Sequence, residues 1–178
     1  MNTPTKDANP ANILVVDDTP ANLQVLAAML KERGYTVRPV TSGKQALRAA
    51  EAEPPDLVLL DIKMPEMNGY EVCAALKANP RLAEIPILFV SALDETENKT
   101  RAFRAGGVDY ITKPFQFEEV EARVRTHLSI ARLQHELVTY NRRLEGLVGQ
   151  RSRDLVLAHQ RLRVLYRSKD EYLRLISH

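Results

Sequence analysis

Five side chains that could do chemistry in this sequence each follow or end a short apolar run. They are Asp17, Asp18, Asp61, Ser91 and Lys113. The runs are Ile13–Val16, Leu57–Leu60, Ile85–Val90 and Val108–Ile111. Apolar runs of this length predict strands that are buried on both faces, as in a parallel sheet covered by helices. Open α/β sheets bind ligands at the edge where the carboxyl ends of their strands lie, so we expect the five side chains to converge there.

These side chains together suit phosphate chemistry. Three carboxylates at one edge would repel each other and resist ionisation without a cation, and Mg²⁺ is a hard cation that takes oxygen ligands. We therefore expect Asp17, Asp18 and Asp61 to bind Mg²⁺. With its charge screened, Asp61 can attack phosphorus and form an aspartyl phosphate. The ammonium of Lys113 and the hydroxyl of Ser91 can then bind the phosphoryl oxygens.

Three of these residues also have a simpler interpretation. Asp18 could cap the first helix, Asp61 could cap a turn, and Lys113 could be a solvated lysine. Such interpretations explain the residues one at a time. They do not explain why a lysine and a hydroxyl fall on the same sheet edge as the carboxylates.

The elements that must position these residues alternate along the first two thirds of the chain. A second strand is predicted at 35–40, and helices are predicted from Pro20 to about Gly34, at 44–52, at 69–78 and at about 95–105. Five strands that alternate with helices predict a parallel, doubly wound α/β sheet. Pro39 predicts that the second strand lies at a sheet edge or that the proline sits at a strand end.

The remainder of the chain, from Phe115 onward, keeps a helical pattern without proline. Apolar residues recur in alternating steps of three and four, which is a heptad seam. The seam positions are Ile130, Leu133, Leu137, Tyr140, Leu144 and Leu147, and then Leu155, Ala158, Leu162, Leu165, Tyr172 and Ile176, with Lys169 among them. The eleven-residue step from Leu144 to Leu155 is a stutter. A helix of ~60 residues would be ~90 Å long, and we expect it to pair with a second copy as a parallel coiled coil.

Composition narrows the class of protein. Of 178 residues, 44% are hydrophobic and 27% charged, as in soluble globular proteins, and no apolar run could span a membrane. Without a leader-like N-terminus, a cytoplasmic location is expected. Cys73 is the only cysteine, which excludes an internal disulfide and predicts a buried, inert thiol.

Charge divides the chain in two. Residues 1–128 hold 15 Lys and Arg against 18 Asp and Glu, a balance of −3, whereas residues 129–178 hold 10 against 5, a balance of +5. Cations spread along a helix without interleaved aromatic residues favour a solvated face over a nucleic-acid surface. We expect neither nucleic acid nor a membrane among the partners.

Four motifs together resemble the receiver domain of bacterial response regulators over about residues 11–128. They are Val16-Asp17-Asp18, Asp61-x-x-Met64-Pro65-x-Met67-x-Gly69, Ser91-Ala92 and Asp109-Tyr110-Ile111-Thr112-Lys113-Pro114-Phe115. The resemblance implies a flavodoxin-like fold with strand order 2-1-3-4-5 and a histidine kinase or phosphotransfer protein as phosphodonor.

The resemblance also implies roles for individual residues. Asp61 would be the phosphoacceptor, and Asp17, Asp18, Asp61 and the backbone carbonyl of Lys63 would bind Mg²⁺. Ser91 and Lys113 would contact the phosphoryl group, Ser91 and Tyr110 would act as the switch, and the Lys113-Pro114 peptide would be cis.

The C-terminal part resembles two other signalling elements. Residues 144–155 resemble the parallel signalling helices that join sensory to catalytic modules, and 169–178 resemble the opening of a histidine kinase dimerisation helix. His178 matches the phosphoacceptor of that helix.

We thus predict a flexible tail at 1–11, a receiver domain at 12–128, a coiled coil at 129–168 and the start of a kinase helix at 169–178. A stand-alone adaptor and, less favoured, a DNA-binding regulator are the alternatives.

Overall fold

The centre of the fold is a five-stranded sheet whose strands are all parallel. The computed structural model describes residues 10–92 and 101–176. The strands are β1 (Asn12–Val16), β2 (Thr36–Val40), β3 (Leu57–Asp61), β4 (Ile87–Ala92) and β5 (Asp109–Lys113). Their order in the sheet is β2-β1-β3-β4-β5, which confirms the predicted doubly wound fold.

Helices cover both faces of this sheet. They are α1 (Pro20–Glu32), α2 (Gly43–Ala52), α3 (Gly69–Ala78) and the long α4 (Phe117–Ile176). Alternate residues of each inner strand point to opposite faces, so one apolar layer packs β-sheet residues on α2 and α3, and the other packs them on α1 and the start of α4. The predicted continuous apolar strands are therefore buried on both sides.

Several predicted element boundaries differ from the structure by one to three residues. Strand β4 begins at Ile87 rather than Ile85, because Pro86 has no N–H to donate to the neighbouring strand. Of the helix predicted at 95–105, residues 101–104 are helical, and 95–100 lie outside the described residues. Pro39 lies in β2 at the edge of the sheet, as predicted.

The chain divides into two compact units, one ending at Arg132 and the other starting at Leu133. Within the second unit, helix α4 continues without interruption through the stutter and past Gly146 and Gly149. The apolar seam side chains described there are exposed in the single chain.

Three predictions fall on residues that the structure does not describe. They are most of the N-terminal tail, His178, and the larger part of the helix at 95–105. Within residues 10–92 and 101–176, no helix is both long enough and apolar enough to cross a lipid bilayer.

Candidate functional site

Asp61 lies at the carboxyl end of the central strand β3 and is 4% exposed. The loop after it turns back at once, because the Gly69 N–H donates to the Ile62 carbonyl at 3.0 Å. A Cβ at Gly69 would collide with the backbone carbonyl oxygen of Asp61, so this position requires glycine. Asn68 and Glu71 form a capping box that fixes the start of α3 directly behind the loop. The motif around Asp61 is thus a compact turn that holds one carboxylate at the sheet edge.

Asp17 follows β1 on the neighbouring strand and is 1% exposed. Its Oδ1 accepts the backbone N–H of Thr19 at 2.8 Å. The side-chain amide of Asn22 donates to Oδ1 at 3.1 Å and to Oδ2 at 3.0 Å. Thr19 is the N-cap of α1, and its side chain makes no capping hydrogen bond. Asp18 is therefore not the cap of this helix, and its exposed carboxylate lies beside that of Asp17.

Lys113 joins the two buried carboxylates. It ends β5, and its Nζ lies 2.7 Å from Asp17 Oδ2 and 2.9 Å from Asp61 Oδ1. The lysine comes from the edge strand of the sheet, and its side chain reaches across β4 to the centre. The sequence separations of 96 and 52 residues show that only the sheet order brings this group together.

The charges of the site act on each other. Burial raises the pKa of Asp61, the hydrogen bond and charge of Lys113 oppose this, and the nearby Asp17 and Asp18 add to the rise. For Lys113, burial lowers the pKa, but hydrogen bonds to Asp17 and Asp61 outweigh it, so its pKa is raised. The lysine stays charged and neutralises part of an acidic cluster that is short of positive charge.

The three carboxylates fit a hard divalent cation. Asp17, Asp18 and Asp61 each offer one oxygen, and these oxygens all lie within 4.8 Å of one another. Oxygen donors in this number, with room left for water on the exposed side of Asp18, match the ligands that Mg²⁺ takes in proteins. The geometry supports a metal site made from the residues that the sequence analysis selected.

The family model of the response regulator receiver domain matches residues 13–125. The chain belongs to this family. It is a receiver domain of two-component phosphorelay signalling, a kind of domain that takes phosphoryl groups from histidine kinases or phosphotransfer proteins.

Relatives of this receiver domain carry different outputs. A Vibrio cholerae protein named "Probable cyclic di-GMP phosphodiesterase" is 39% identical over 150 residues, which are 84% of this chain and 34% of that protein. The DNA-binding dual master transcriptional regulator RpaA of Synechocystis is 39% identical over 116 residues, 65% of this chain and 48% of the relative. The chain thus spans half or less of the length of these relatives, and their names do not agree on one output.

A solved structure gives a third kind of neighbour. The signal receiver domain of a signal transduction histidine kinase from Syntrophus aciditrophicus is 35% identical, with a TM-score of 0.63. The alignment covers 67% of this chain and 90% of that one. Receiver domains with this fold therefore also occur in kinases.

Two other predicted site residues, Ser91 and Lys63, lie near the acidic cluster at the ends of β4 and β3. Ser91 is 9% exposed and lies one residue beyond Val90, the β4 partner of Asp61. Its hydroxyl donates to the Ala92 carbonyl at 3.0 Å, so it is directed along its own strand. Lys63 is exposed in the loop after β3, and the Lys113-Pro114 peptide is cis as expected.

Tyr110 lies in β5 and is partly buried. Its ring is edge-on to that of Phe103, with centroids 6.3 Å apart, and the Arg123 guanidinium lies 5.8 Å from the ring centroid. The ring also packs against the apolar layer on the α2 and α3 side, as an ordinary core tyrosine would.

Two groups of polar residues in the receiver domain were not selected from the sequence. One is Asn22, whose only signal was its place in the first turn of the helix after Asp17. The other is a cluster at the start of β5, where Asp109 accepts hydrogen bonds from Arg123 at 2.7 and 2.8 Å and lies 3.0 Å from His127 Nε2. Hydrogen bonds to Arg123 and His127 overcome the effect of burial and lower the pKa of Asp109. This cluster attaches the first turns of α4 to β5.

Proposed function

We propose that this receiver domain accepts a phosphoryl group on Asp61 and passes its phosphorylation state to an output through helix α4. The observation that carries the proposal is the bridge that Lys113 Nζ makes between two buried carboxylates, at 2.7 Å from Asp17 and 2.9 Å from Asp61. A merely structural lysine would need one carboxylate at most. A lysine that shares two, beside a third, leaves an excess of negative charge that suits a bound cation, and the lysine and the cation together suit a phosphoryl group.

Asp17, Asp18 and Asp61 would hold Mg²⁺, together with the backbone carbonyl of Lys63. The fit rests on their three oxygens within 4.8 Å of each other. When bound, Mg²⁺ supplies positive charge that screens the carboxylates and the phosphoryl oxygens. Asp17 and Asp61 are buried, so their charges have little other screening apart from Lys113.

The transfer itself needs an ionised Asp61. A carboxylate oxygen of Asp61 forms a bond to phosphorus, and the bond between phosphorus and the donor group breaks, leaving the electron pair with the donor. A histidine kinase or phosphotransfer protein would be the natural donor. Lys113 can turn from the Asp17 and Asp61 carboxylates to a phosphoryl oxygen without leaving the site, because its Nζ already lies between them.

The response would start at the neighbouring strand ends. The new group adds ~1.5–2 negative charges at Asp61. In the proposal, the Ser91 hydroxyl leaves the Ala92 carbonyl, 3.0 Å away, to bind a phosphoryl oxygen, and Tyr110 changes its position on the side of β5. Tyr110 is suited to this because its ring contacts both Phe103 and Arg123.

The output is proposed to be a histidine kinase controlled through a homodimeric parallel coiled coil. The exposed seam of α4, the likeness of 169–178 to a kinase dimerisation helix, and the kinase receiver domain among the structural neighbours support this choice. His178 would be the phosphoacceptor of that helix. The proposal keeps the cytoplasm as the location, where such kinases meet ATP. A DNA-binding output has the basic C-terminal part and the relative RpaA in its favour.

The phosphoacceptor is tested by labelling. The full chain is incubated with acetyl phosphate and Mg²⁺ and weighed intact by mass spectrometry. We expect the mass of one added phosphoryl group in the wild type and in Asp109→Asn, a matched control outside the site, and none in Asp61→Asn or after EDTA. Undiminished labelling of Asp61→Asn would overturn the assignment.

The output is tested on a chain that continues past His178. We expect ATP to label His178, and His178→Gln to abolish that label while acetyl phosphate still labels Asp61. Specific retention of a DNA probe by the same protein, with no label from ATP, would favour the DNA-binding alternative instead.

The role of the coil is tested by cysteine crosslinking. Single cysteines at Leu137 and Leu162, in a chain with Cys73→Ser, should crosslink differently with and without acetyl phosphate if the helix changes register. Identical crosslinking in both states would argue against a register change.

A further inference from the structure

Asn22 reaches the acidic cluster from the first turn of α1, and no role follows for it from the phosphoacceptor chemistry. Its side-chain amide donates to both oxygens of Asp17, at 3.1 and 3.0 Å. Residues that merely stabilise a helix start bond backbone groups of the same turn. Asn22 instead bonds a carboxylate five residues earlier, across the loop.

The Asp17 carboxylate depends on protein donors, because it is 1% exposed and water can scarcely reach it. Its Oδ1 accepts from Thr19 N and Asn22, and its Oδ2 accepts from Asn22 and Lys113. Thr19 N and Asn22 come from the same segment and hold the plane of the carboxylate. Lys113 belongs to the other end of the sheet and is shared with Asp61.

This division matters when Lys113 turns toward a phosphoryl group. Asp17 then loses its only positively charged side-chain partner among the described residues, and a buried carboxylate that loses a donor depends more strongly on those that remain. The neutral amide of Asn22 contacts both oxygens and does not compete for the phosphoryl group. It can therefore hold the Asp17 carboxylate in its orientation while the lysine moves.

We propose that Asn22 is a positioning residue that orients the Asp17 carboxylate for Mg²⁺ and holds it when Lys113 turns to the phosphoryl group. The inference rests on the proposed function, because it takes Asp17 as a ligand of the cation. Donors that orient ligating carboxylates typically affect metal affinity by about 10- to 100-fold. The amide is thus assigned to cation binding and not to stability alone.

The test measures Mg²⁺ binding to the unphosphorylated full chain by isothermal titration calorimetry. Asn22→Leu keeps the shape of the side chain and removes the donors, and we expect it to weaken Mg²⁺ binding by about 10- to 100-fold. Asn22→Gln keeps the amide on a longer side chain and should recover part of the loss. Asn12→Leu is the matched control: its amide also donates to a carboxylate, Glu53 at 3.0 Å, but at the opposite end of β1. We expect its Mg²⁺ affinity to equal that of the wild type.

A second measurement does not depend on the variants folding. In ¹⁵N spectra of the wild-type chain, the assigned side-chain amide signals of Asn22 should shift as Mg²⁺ is added, and those of Asn12 should not. Unchanged signals for Asn22, or an Asn22→Leu chain that binds Mg²⁺ as tightly as the wild type or more tightly, would overturn the inference. Equal weakening in Asn12→Leu would also overturn it. Failure of the wild-type chain to bind Mg²⁺ would instead overturn the proposed metal site itself.

Discussion

Leucines have opposite environments in the two units of this protein. In the receiver domain Leu59 and Leu60 are 0% exposed, whereas the leucines from 133 to 165 on helix α4 are exposed, from 41% at Leu144 to 74% at Leu155. Burying one leucine side chain contributes roughly 1.5–3 kcal/mol. The receiver domain has already gained this contribution from its own sheet and helices, but the long helix in a single chain has not. From this difference we predict that the first unit is stable by itself and that the second gains stability from a partner surface.

The strongest test of this comparison removes the seam from the helix. Leu137→Asp with Leu144→Asp would place four charges in the core of a homodimer, and we expect association to weaken by ~6 kcal/mol or more, which is over ~10,000-fold in Kd. Sedimentation equilibrium of the full chain measures this directly. The matched control, Val138→Asp with Val156→Asp, adds the same charges at exposed apolar positions off the seam and should leave the dimer intact.

Two outcomes would contradict the prediction that the seam of α4 forms a homodimer interface. A wild-type chain that stays monomeric at high micromolar concentration would show that the exposed leucines do not pair with a second copy. Equal loss of association in both double variants would show that a different face of the helix is the interface.

The second test makes the same leucine truncation once in each unit and compares the two effects. Leu60→Ala should destabilise the receiver domain by about 3 kcal/mol, because it leaves a cavity in a core that cannot collapse around it. Leu155→Ala, the same truncation on the exposed part of helix α4, should change the free energy of unfolding of the receiver domain by less than ~0.5 kcal/mol. Hydrogen exchange of peptides from β1 and β3 reports opening of the sheet in both variants. Comparable losses in both would mean that the domain depends on the helix for its stability.

Most of the fold could be predicted because its signals are local. The apolar runs at Ile13 and Leu57 mark strands by composition alone, and Pro39 marks an edge because it cannot donate to a neighbour. The boundaries are harder to predict. Ile85 continues an apolar run and still lies outside β4, because its N–H donates to Leu82 O at 3.1 Å in the preceding turn and Pro86 has no N–H to donate to a neighbouring strand.

The site could be predicted only in part, for a related reason. Asp61 and Lys113 stand out because a charge at the end of an apolar run is unusual in itself. Asn22 does not, because a polar residue in the first turn of a helix is ordinary, and its contact with Asp17 depends on the side-chain conformation. The contacts of Asp109 with Arg123 and His127 link residues 14 and 18 positions apart, on two elements whose mutual register has no sequence pattern.

The third test concerns the acidic site around Asp61. This site, like the exposed apolar seam of α4, is not arranged for stability in the single chain. The pKa of Asp61 is raised by burial and by its acidic neighbours, whereas hydrogen bonds from Arg123 and His127 lower that of Asp109. A carboxylate whose folded pKa is raised reduces stability when it is charged, and one whose folded pKa is lowered adds to it. In EDTA at pH 7 we therefore expect Asp61→Asn to raise the midpoint of thermal unfolding by a few degrees and Asp109→Asn to lower it. Each shift corresponds to a change of roughly 1 kcal/mol in the free energy of unfolding.

The pH dependence of the two variants follows with opposite signs. The stability contributed by Asp109 is fully present above its unfolded pKa, near 3.8, and is lost as the pH falls through its lower folded pKa. The cost of charged Asp61 is present above its raised folded pKa and disappears as the pH falls toward 3.8. Both differences from the wild type should thus shrink on acidification, with the Asp61→Asn difference shrinking first. Calorimetry from pH 7 down to well below pH 3.8 measures them, because the Asp109→Asn difference shrinks only below that value. If Asp61→Asn lowered the midpoint in EDTA at pH 7, then Lys113 would more than compensate the buried charge, and the site would be as well arranged for stability as the core beneath it.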